Sequence, residues 1–315
     1  MMPTVEPELL RLAAFTAEPS GGNPAGVWIG TVFPADGEMQ RIAADVGYSE
    51  TAFLVPMPGG AIGHFRVRYF SPLAEVPFCG HATIASGVAL AERTENSSRN
   101  EVTDLVFETN GGPVRVRTTM DGDGRTRATL TSVATSVAEP DAGLLASALD
   151  LLGWHADELD PTLPPAVGFA GARHLILAAR ERERLVSLDY AFEPLKSLMF
   201  AHDLTTLQLV WRETPVRFRA RDPFPVGGVV EDPATGAAAA ALGGYLRERG
   251  EIVAPATFEI VQGVEMGRPS LLTVSIEPGD PGVRVSGTAV AIPMEAPASM
   301  TRRTADGPTV DARLR

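Results

Sequence analysis

The sequence predicts a mixed α/β fold built from two similar domains, and three observations carry that prediction. At 315 residues the chain has the length of about two ordinary domains, each large enough for its own core. Segments of strand character and segments of helical spacing both occur in each half of it. One local plan is also used twice. Gly228 to Leu246 runs through the turn Asp232-Pro233 and Thr235-Gly236 into Ala237 to Ala241, which reads as a strand ending near Val230, a tight loop and a helix starting near Thr235. Val76 to Leu90 repeats the plan through Pro77, Cys79-Gly80-His81 and a run of small residues, roughly 150 residues upstream.

The small side chains leave the backbone at both helix starts open to approach. A helix start presents unpaired amides and the positive end of the macrodipole, so each can hold an anionic group. Asp232 adds a carboxylate at the mouth of the second. Two such starts facing each other would form one anion-receiving cleft between domains, where small-molecule sites tend to lie. Neither copy alone carries that inference, because Gly and Ala next to a helix start more often serve close packing.

Composition excludes several classes. A formal charge of -12 and a pI near 4.9 argue against nucleic acid or an anionic membrane as a partner. No stretch approaches roughly 18 uninterrupted apolar residues. Met1 to Leu12 carries Glu6 and Glu8 where a signal peptide is basic, so the expectation is a soluble cytoplasmic protein. The single cysteine, Cys79, excludes an internal disulfide, a cysteine-rich metal site and two-thiol chemistry within one chain.

Taken in order, Leu10 to Phe15 and Val27 to Ile29 read as strands around a Gly- and Pro-rich loop. That loop is no phosphate cradle, because no Lys-Ser/Thr follows its glycines and Pro24 lacks an amide. Asp36 to Val46 has helical spacing, with Met39, Ile42, Ala43 and Val46 on one side, and Tyr48 to Val55 leads from it into a strand. Phe65 to Phe70 alternates as a half-buried strand. Asn110-Gly111-Gly112 between two alternating segments signals a hairpin. Asp121 to Gly124 gives a weaker one, read as a turn because the later ligands and closing Glu of a calcium loop are missing.

The second domain is expected to begin around Thr126 to Leu130, giving domains 1–125 and 126–295, with the last strand able to return to the first. Within it, Leu144 to Leu152 and Glu181 to Leu188 read as helices, Asp160 to Pro165 as a rigid connector and His174 to Ala178 as a buried strand. Leu207 to Trp211 and Val216 to Ala220 are strands leading to Asp232. Thr257 to Val261, Leu271 to Ile276 and Val283 to Val290 supply three more. Residues 296–315 form a polar tail without periodicity, expected to make few ordered contacts.

Two residues stand out chemically. Glu50 is an acid among apolar and aromatic neighbours. Pointing inward, it would be desolvated and its pKa raised toward the range useful for proton transfer; pointing outward, it merely opens an exposed strand. His81 sits on a helix start, where it can donate a proton, hold an anion or serve structure. The five histidines, His64, His81, His155, His174 and His202, include no pair at i, i+4 and no cysteine pair beside them, so no zinc pattern is visible.

Six motifs follow one another: Asn23-Pro24-Ala25-Gly26, Ser49-Glu50-Thr51-Ala52-Phe53, Cys79-Gly80-His81-Ala82-Thr83, Asn110-Gly111-Gly112, Glu231-Asp232-Pro233-Ala234-Thr235-Gly236, and Gln262-Gly263 with Gly267-Arg268-Pro269-Ser270. Together, over roughly Leu10 to Ile292, they resemble the phenazine biosynthesis PhzF-like family, related in fold to diaminopimelate epimerase. The resemblance implies two similar α+β domains, each a curved, mostly antiparallel sheet or barrel around a central helix, with the active site in the cleft between them. It implies isomerisation of trans-2,3-dihydro-3-hydroxyanthranilate or a similar small carboxylate, without cofactor or metal, by a homodimer. The family's proton-carrying glutamate corresponds to Glu50, while Gly80, His81 and Asp232 correspond to groups that hold the substrate and its developing charge. Ser49, Cys79, Ala82 and Thr235 would line the same site, and Gly236 with the amide of Ala237 would receive the carboxylate. Many relatives have Ser where this chain has Ala237, which removes a hydrogen bond worth about 1.5 to 3 kcal/mol if nothing replaces it.

The chemistry is consistent with one carboxyl. Moving a proton between carbons on one face needs a single group that takes and returns it in a dry cleft, whereas epimerisation needs an acid and a base on opposite faces. Three readings follow: a cofactor-independent isomerase using Glu50, His81 and Asp232; a racemase or epimerase of an amino or hydroxy acid using mixed groups; and a non-catalytic protein that binds an anionic metabolite.

Overall fold

The computed structural model describes residues 6–93 and 103–293, so the tail expected over 296–315 lies outside the described residues. Two-residue alternation sets the strands. In the first half they are β1 (Glu8–Ala14), β2 (Asn23–Ile29), β3 (Glu50–Pro56), β4 (His64–Phe70), β5 (Glu75–Val76), β6 (Thr103–Thr109), β7 (Gly112–Met120) and β8 (Thr126–Thr131), with helices α1 (Asp36–Val46) and α2 (Gly80–Arg93). Next come β9 (Ser136–Ala138), α3 (Ala142–Leu152), β10 (Ala166–Phe169), β11 (Arg173–Ala179), α4 (Arg182–Val186), α5 (Phe192–Ala201), β12 (Thr206–Thr214) and β13 (Arg217–Pro223). The chain continues through β14 (Glu231–Asp232), α6 (Gly236–Glu248), β15 (Ala256–Gln262), β16 (Ser270–Ile276) and β17 (Arg284–Ala291).

The duplication is visible in the pairing. From β1 to β8, leaving out β5, successive partners are antiparallel, parallel, antiparallel, parallel, antiparallel and antiparallel. From β10 to β17, leaving out β14, the same senses recur in the same order. In each half a two-residue strand, β5 on β4 and β14 on β13, delivers the chain to the long helix. The last strand joins the halves. Arg284 to Ser286 pairs with both β16 and β8, and Val290 with its neighbours pairs with β1, which closes an eight-stranded barrel of β1, β2, β3, β4, β6, β7, β8 and β17.

Each long helix runs through one curved sheet. Helix α2 is buried continuously from His81 to Leu90, and α6 is buried at Gly236 and from Ala238 to Leu246. A helix without a polar face belongs in a core, which is why small residues dominate both. A β-carbon on Gly87 would stand 2.9 Å from Val116 Cγ1, and one on Gly244 would stand 2.4 Å from Thr135 Oγ1. There strand β7 and the residue just before β9 pack directly on helix backbone. Around them Ile84, Val88, Leu242 and Leu246 join one core cluster with residues of both sheets; complete burial of such a side chain contributes about 1.5 to 3 kcal/mol.

Helix α1 matches the predicted spacing, with Met39, Ala43 and Val46 buried, and α3 is capped by Asp141, which accepts from the amides of Gly143 and Leu144 at 2.8 and 3.3 Å. The helix expected over Glu181 to Leu188 is shorter: Glu181 is extended and only Arg182–Val186 is helical. Helix α5 and strands β9 and β10 were not legible. Pro194 stands in the first turn of α5, which tolerates proline because its amides lack partners there. Strand β10 has only four residues after Pro164-Pro165. No helix among the described residues is long and apolar enough to cross a membrane.

Candidate active site between the two helix starts

The starts of α2 and α6 face each other: a β-carbon placed on Gly80 would stand 3.8 Å from Gly236 Cα. Only residues this small let two helix ends approach so closely, and a helix start carries amides without intrahelical partners. Thr235 is the N-cap residue of α6, yet its side chain makes no capping bond. It donates to Asp232 Oδ2 at 2.6 Å and leaves the first amides of α6, including that of half-buried Ala237, open to a ligand.

Strand β3 and the bend just before it bring Glu50 and Ser49 to the start of α2. Glu50 Oε2 lies 3.4 Å from His81 Nε2 and accepts from Cys79 Sγ at 3.4 Å. Ser49 Oγ lies 3.4 Å from His81 Nε2. The amide of Ala82 donates to the Cys79 sulfur, which thereby occupies the place of a helix cap. Asn23, at the start of β2, connects the halves. Its Nδ2 lies 3.1 Å from His81 Nδ1 and donates to Asp232 Oδ1 at 2.8 Å and to the Ala234 carbonyl at 3.1 Å. Gln262 supports the second half of the site, donating to the Asp232 carbonyl at 2.8 Å and accepting from the Thr235 amide at 3.2 Å.

All ten residues singled out from the sequence therefore lie at these two helix starts: Ser49, Glu50, Cys79, Gly80, His81 and Ala82 on one side, and Asp232, Thr235, Gly236 and Ala237 on the other. Three participants went unrecognised. Asn23 and Gln262 were seen only as parts of motifs, and Phe15 only as the end of an apolar strand. Phe15 is fully buried with φ of 63°, and its ring lies beside Gly236 and Gly287. A bulky residue in the left-handed region is a conformational outlier that tertiary packing must hold. The Asn23-Pro24 pair was the available signal for the first of the three.

The electrostatics follow from dryness. Burial raises the pKa of Glu50, against hydrogen bonds from Ser49 and Cys79, and 16% of its side chain remains exposed. Burial pushes Asp232 up to about 6, against the pull of His81, Thr235 and Asn23. It lowers His81, which is therefore neutral at neutral pH, and it raises the Cys79 thiol well above its ordinary value, with the nearby Glu50 adding to the shift. The cleft thus holds a carboxyl moved toward the range in which it can both give and take a proton. Donor atoms of Glu50, Cys79 and His81 also lie within 4.8 Å of one another, as a metal site requires.

Comparison with known proteins gives a consistent result. The family model described as phenazine biosynthesis-like protein matches residues 12–295. A Bacillus subtilis protein named uncharacterized isomerase YfhB is 31% identical over 293 residues, covering 91% of this chain and 96% of its own. The trans-2,3-dihydro-3-hydroxyanthranilate isomerase of Pseudomonas fluorescens is 31% identical over 269 residues, covering 84% and 88%. Among solved structures, a Bacillus anthracis phenazine biosynthesis protein of the PhzF family superposes with a TM-score of 0.75 at 25% identity, covering 92% and 98%. A hydroxyproline epimerase from Agrobacterium vitis shares the fold, with a TM-score of 0.62 at 14% identity and 90% of each chain covered.

Proposed function

The chain belongs to the phenazine biosynthesis-like (PhzC-PhzF) family, and from that premise we propose that it is an isomerase moving a proton between carbons of a small carboxylate. The single observation that carries this reading is the placement of Glu50. Its carboxyl is largely buried, faces His81 and Cys79, and stands beside two converging helix starts. The substrate carboxylate would rest on the amides of Gly236 and Ala237, opposite Gly80, where the macrodipole favours an anion. Glu50 would take the proton from one carbon and return it to another on the same face. His81 and Asp232, both connected to Asn23, would hold the polar groups on which charge develops.

This mechanism calls for no cofactor, because one carboxyl in a water-poor cleft does both transfers. The substrate class is trans-2,3-dihydro-3-hydroxyanthranilate or a similar small acid. A homodimer in solution belongs to the same proposal. Epimerisation by mixed groups is the alternative: Cys79 contacts Glu50 on the α2 side, while Asp232 stands on the other.

The test is proton NMR in D2O with a panel of small carboxylates, comparing the native chain with Glu50→Gln. Turnover should put deuterium at carbon or yield a new isomer, and the variant should lose about 10²- to 10⁴-fold in rate while still binding the anion. Exchange that survives in the variant would remove Glu50 from the mechanism. Inversion at a single carbon would favour the epimerase. Ligand-induced stabilisation of both proteins without any exchange would favour a binding protein.

A further inference from the structure

We propose that Glu50 Oε2, Cys79 Sγ and His81 Nε2 form a site that takes one Zn2+ per chain, leaving a fourth position open to the cleft, and that the bound metal blocks the isomerase. Coordination rests on geometry alone and goes beyond the proposed function; only the inhibition depends on that function.

Tetrahedral zinc has Zn–S near 2.3 Å and Zn–N and Zn–O near 2.0 to 2.2 Å, which places sulfur about 3.6 Å from N or O ligands and N about 3.4 Å from O. The edges in the structure are close to these: Sγ to Oε2 is 3.4 Å, Sγ to Nε2 is 3.8 Å and Nε2 to Oε2 is 3.4 Å, with Nδ1 also 3.4 Å from the sulfur. One face of a coordination tetrahedron is therefore already assembled. A thiol, an imidazole and a carboxylate suit zinc and not magnesium or calcium, which take oxygen ligands.

The surroundings meet the other requirements of such a site. Cys79 and His81 are 8% and 6% exposed, so their positions are fixed by packing around the start of α2. The His81 ring hydrogen-bonds the Pro24 carbonyl, and Asn23 Nδ2, 3.1 Å from Nδ1, donates its two hydrogens to Asp232 Oδ1 and the Ala234 carbonyl, so Nδ1 is not required to accept. The tautomer with its hydrogen on Nδ1 leaves the Nε2 lone pair facing Glu50 and Cys79, and metal-ligating histidines are oriented by such a bond to a carbonyl. Glu50 is the most exposed of the three and marks the open side. Coordination forms Zn–S, Zn–N and Zn–O bonds with no change of oxidation state. The Cys79 thiol proton, and the Glu50 proton where one is bound, pass to solvent, and two anionic ligands then balance the ion. Sequence spacing hides this site because Glu50 enters from a different strand.

The experiment uses the full chain after treatment with chelator. Zinc is titrated calorimetrically, and Co2+ serves as a spectroscopic probe because thiolate ligation gives a charge-transfer band. One equivalent of zinc is expected, with a cobalt band that zinc displaces. Cys79→Ser should abolish the band, and Cys79→Ser and Glu50→Gln should each weaken zinc by more than the roughly 10- to 100-fold cost of losing an outer-shell partner. His155→Asn, on the surface, should change neither, and denaturation of the metal-free variants establishes that they are folded. Absence of zinc binding, or binding that survives Cys79→Ser unchanged, would overturn the site. Zinc that binds while leaving proton transfer intact would overturn the inhibition. Zinc binding with no turnover in the metal-free protein would support the site and count against the isomerase.

Discussion

Replacing Asp222 by Asn is expected to stabilise the protein at neutral pH. Asp222 lies in β13, is fully buried, and pairs in backbone register with Asp232 of β14. The Gln208 amide lies 3.2 Å from both carboxyl oxygens, and with its oxygen facing Asp222 it accepts the hydrogen of the acid hydroxyl. Burial is the largest cause pushing the carboxyl well above its ordinary range; Asp232 and Glu231 add to it, and the nearby polar groups of Thr235 and Gln262 oppose it. The folded chain therefore keeps a proton that the unfolded chain releases above about pH 3.9. For an acid with a raised folded pKa, the contribution to stability is fully present below the unfolded pKa. It is lost as pH rises toward the folded one, at up to about 1.4 kcal/mol per pH unit. Asparagine reproduces the protonated shape, with an amide in place of the acid hydroxyl, and carries no such dependence. Urea unfolding of both proteins from about pH 4 to about pH 8 measures the difference. The gap in favour of Asp222→Asn should widen with pH. A constant gap, or a variant less stable at neutral pH, would mean that Asp222 is ionised and that its charge is supported by partners, refuting the reasoning.

Other expectations concern the cleft and the core. Because Asp232 titrates at about 6, kcat/KM should rise as pH increases through that value if the ionised form holds the substrate, and this limb should vanish in Asp232→Asn; a limb that persists assigns it to another group. Ala237→Ser should strengthen inhibition by a small carboxylate about tenfold or more, the equivalent of one charge-assisted hydrogen bond; an unchanged inhibition constant would place the carboxylate elsewhere. Gly244→Ala should cost about 1 to 3 kcal/mol in urea unfolding, because its methyl group meets Thr135 at contact distances of 2.4 and 2.6 Å. A variant of native stability would show that the segment around Thr135 gives way easily.

Most local elements and the two small-residue helix starts are legible along the chain. The spacing of Met39, Ala43 and Val46 is a property of neighbouring residues, as is the hairpin at Asn110 to Gly112, so both could be read directly. The runs of Gly and Ala after Gly80 and Gly236 likewise announced helices that must lie inside something, since a helix without a polar face has nowhere else to go. Helix α5 escaped because proline in a first turn and proline in a loop look alike in one dimension, and β10 because four residues carry almost no period.

Tertiary structure decided what these elements do to one another. Whether Glu50 faces solvent or the cleft depends on the partners of β3, and only that packing desolvates its carboxyl. Asn23 has no pattern of its own, yet it contacts His81 and Asp232, which come from positions 58 and 209 residues away in the chain. The same holds for the Glu50, Cys79 and His81 triangle and for Asp222 beside Asp232. Local periodicity records which face of an element is buried; the dielectric and the distances that give a charged side chain its chemistry are set by residues remote in sequence.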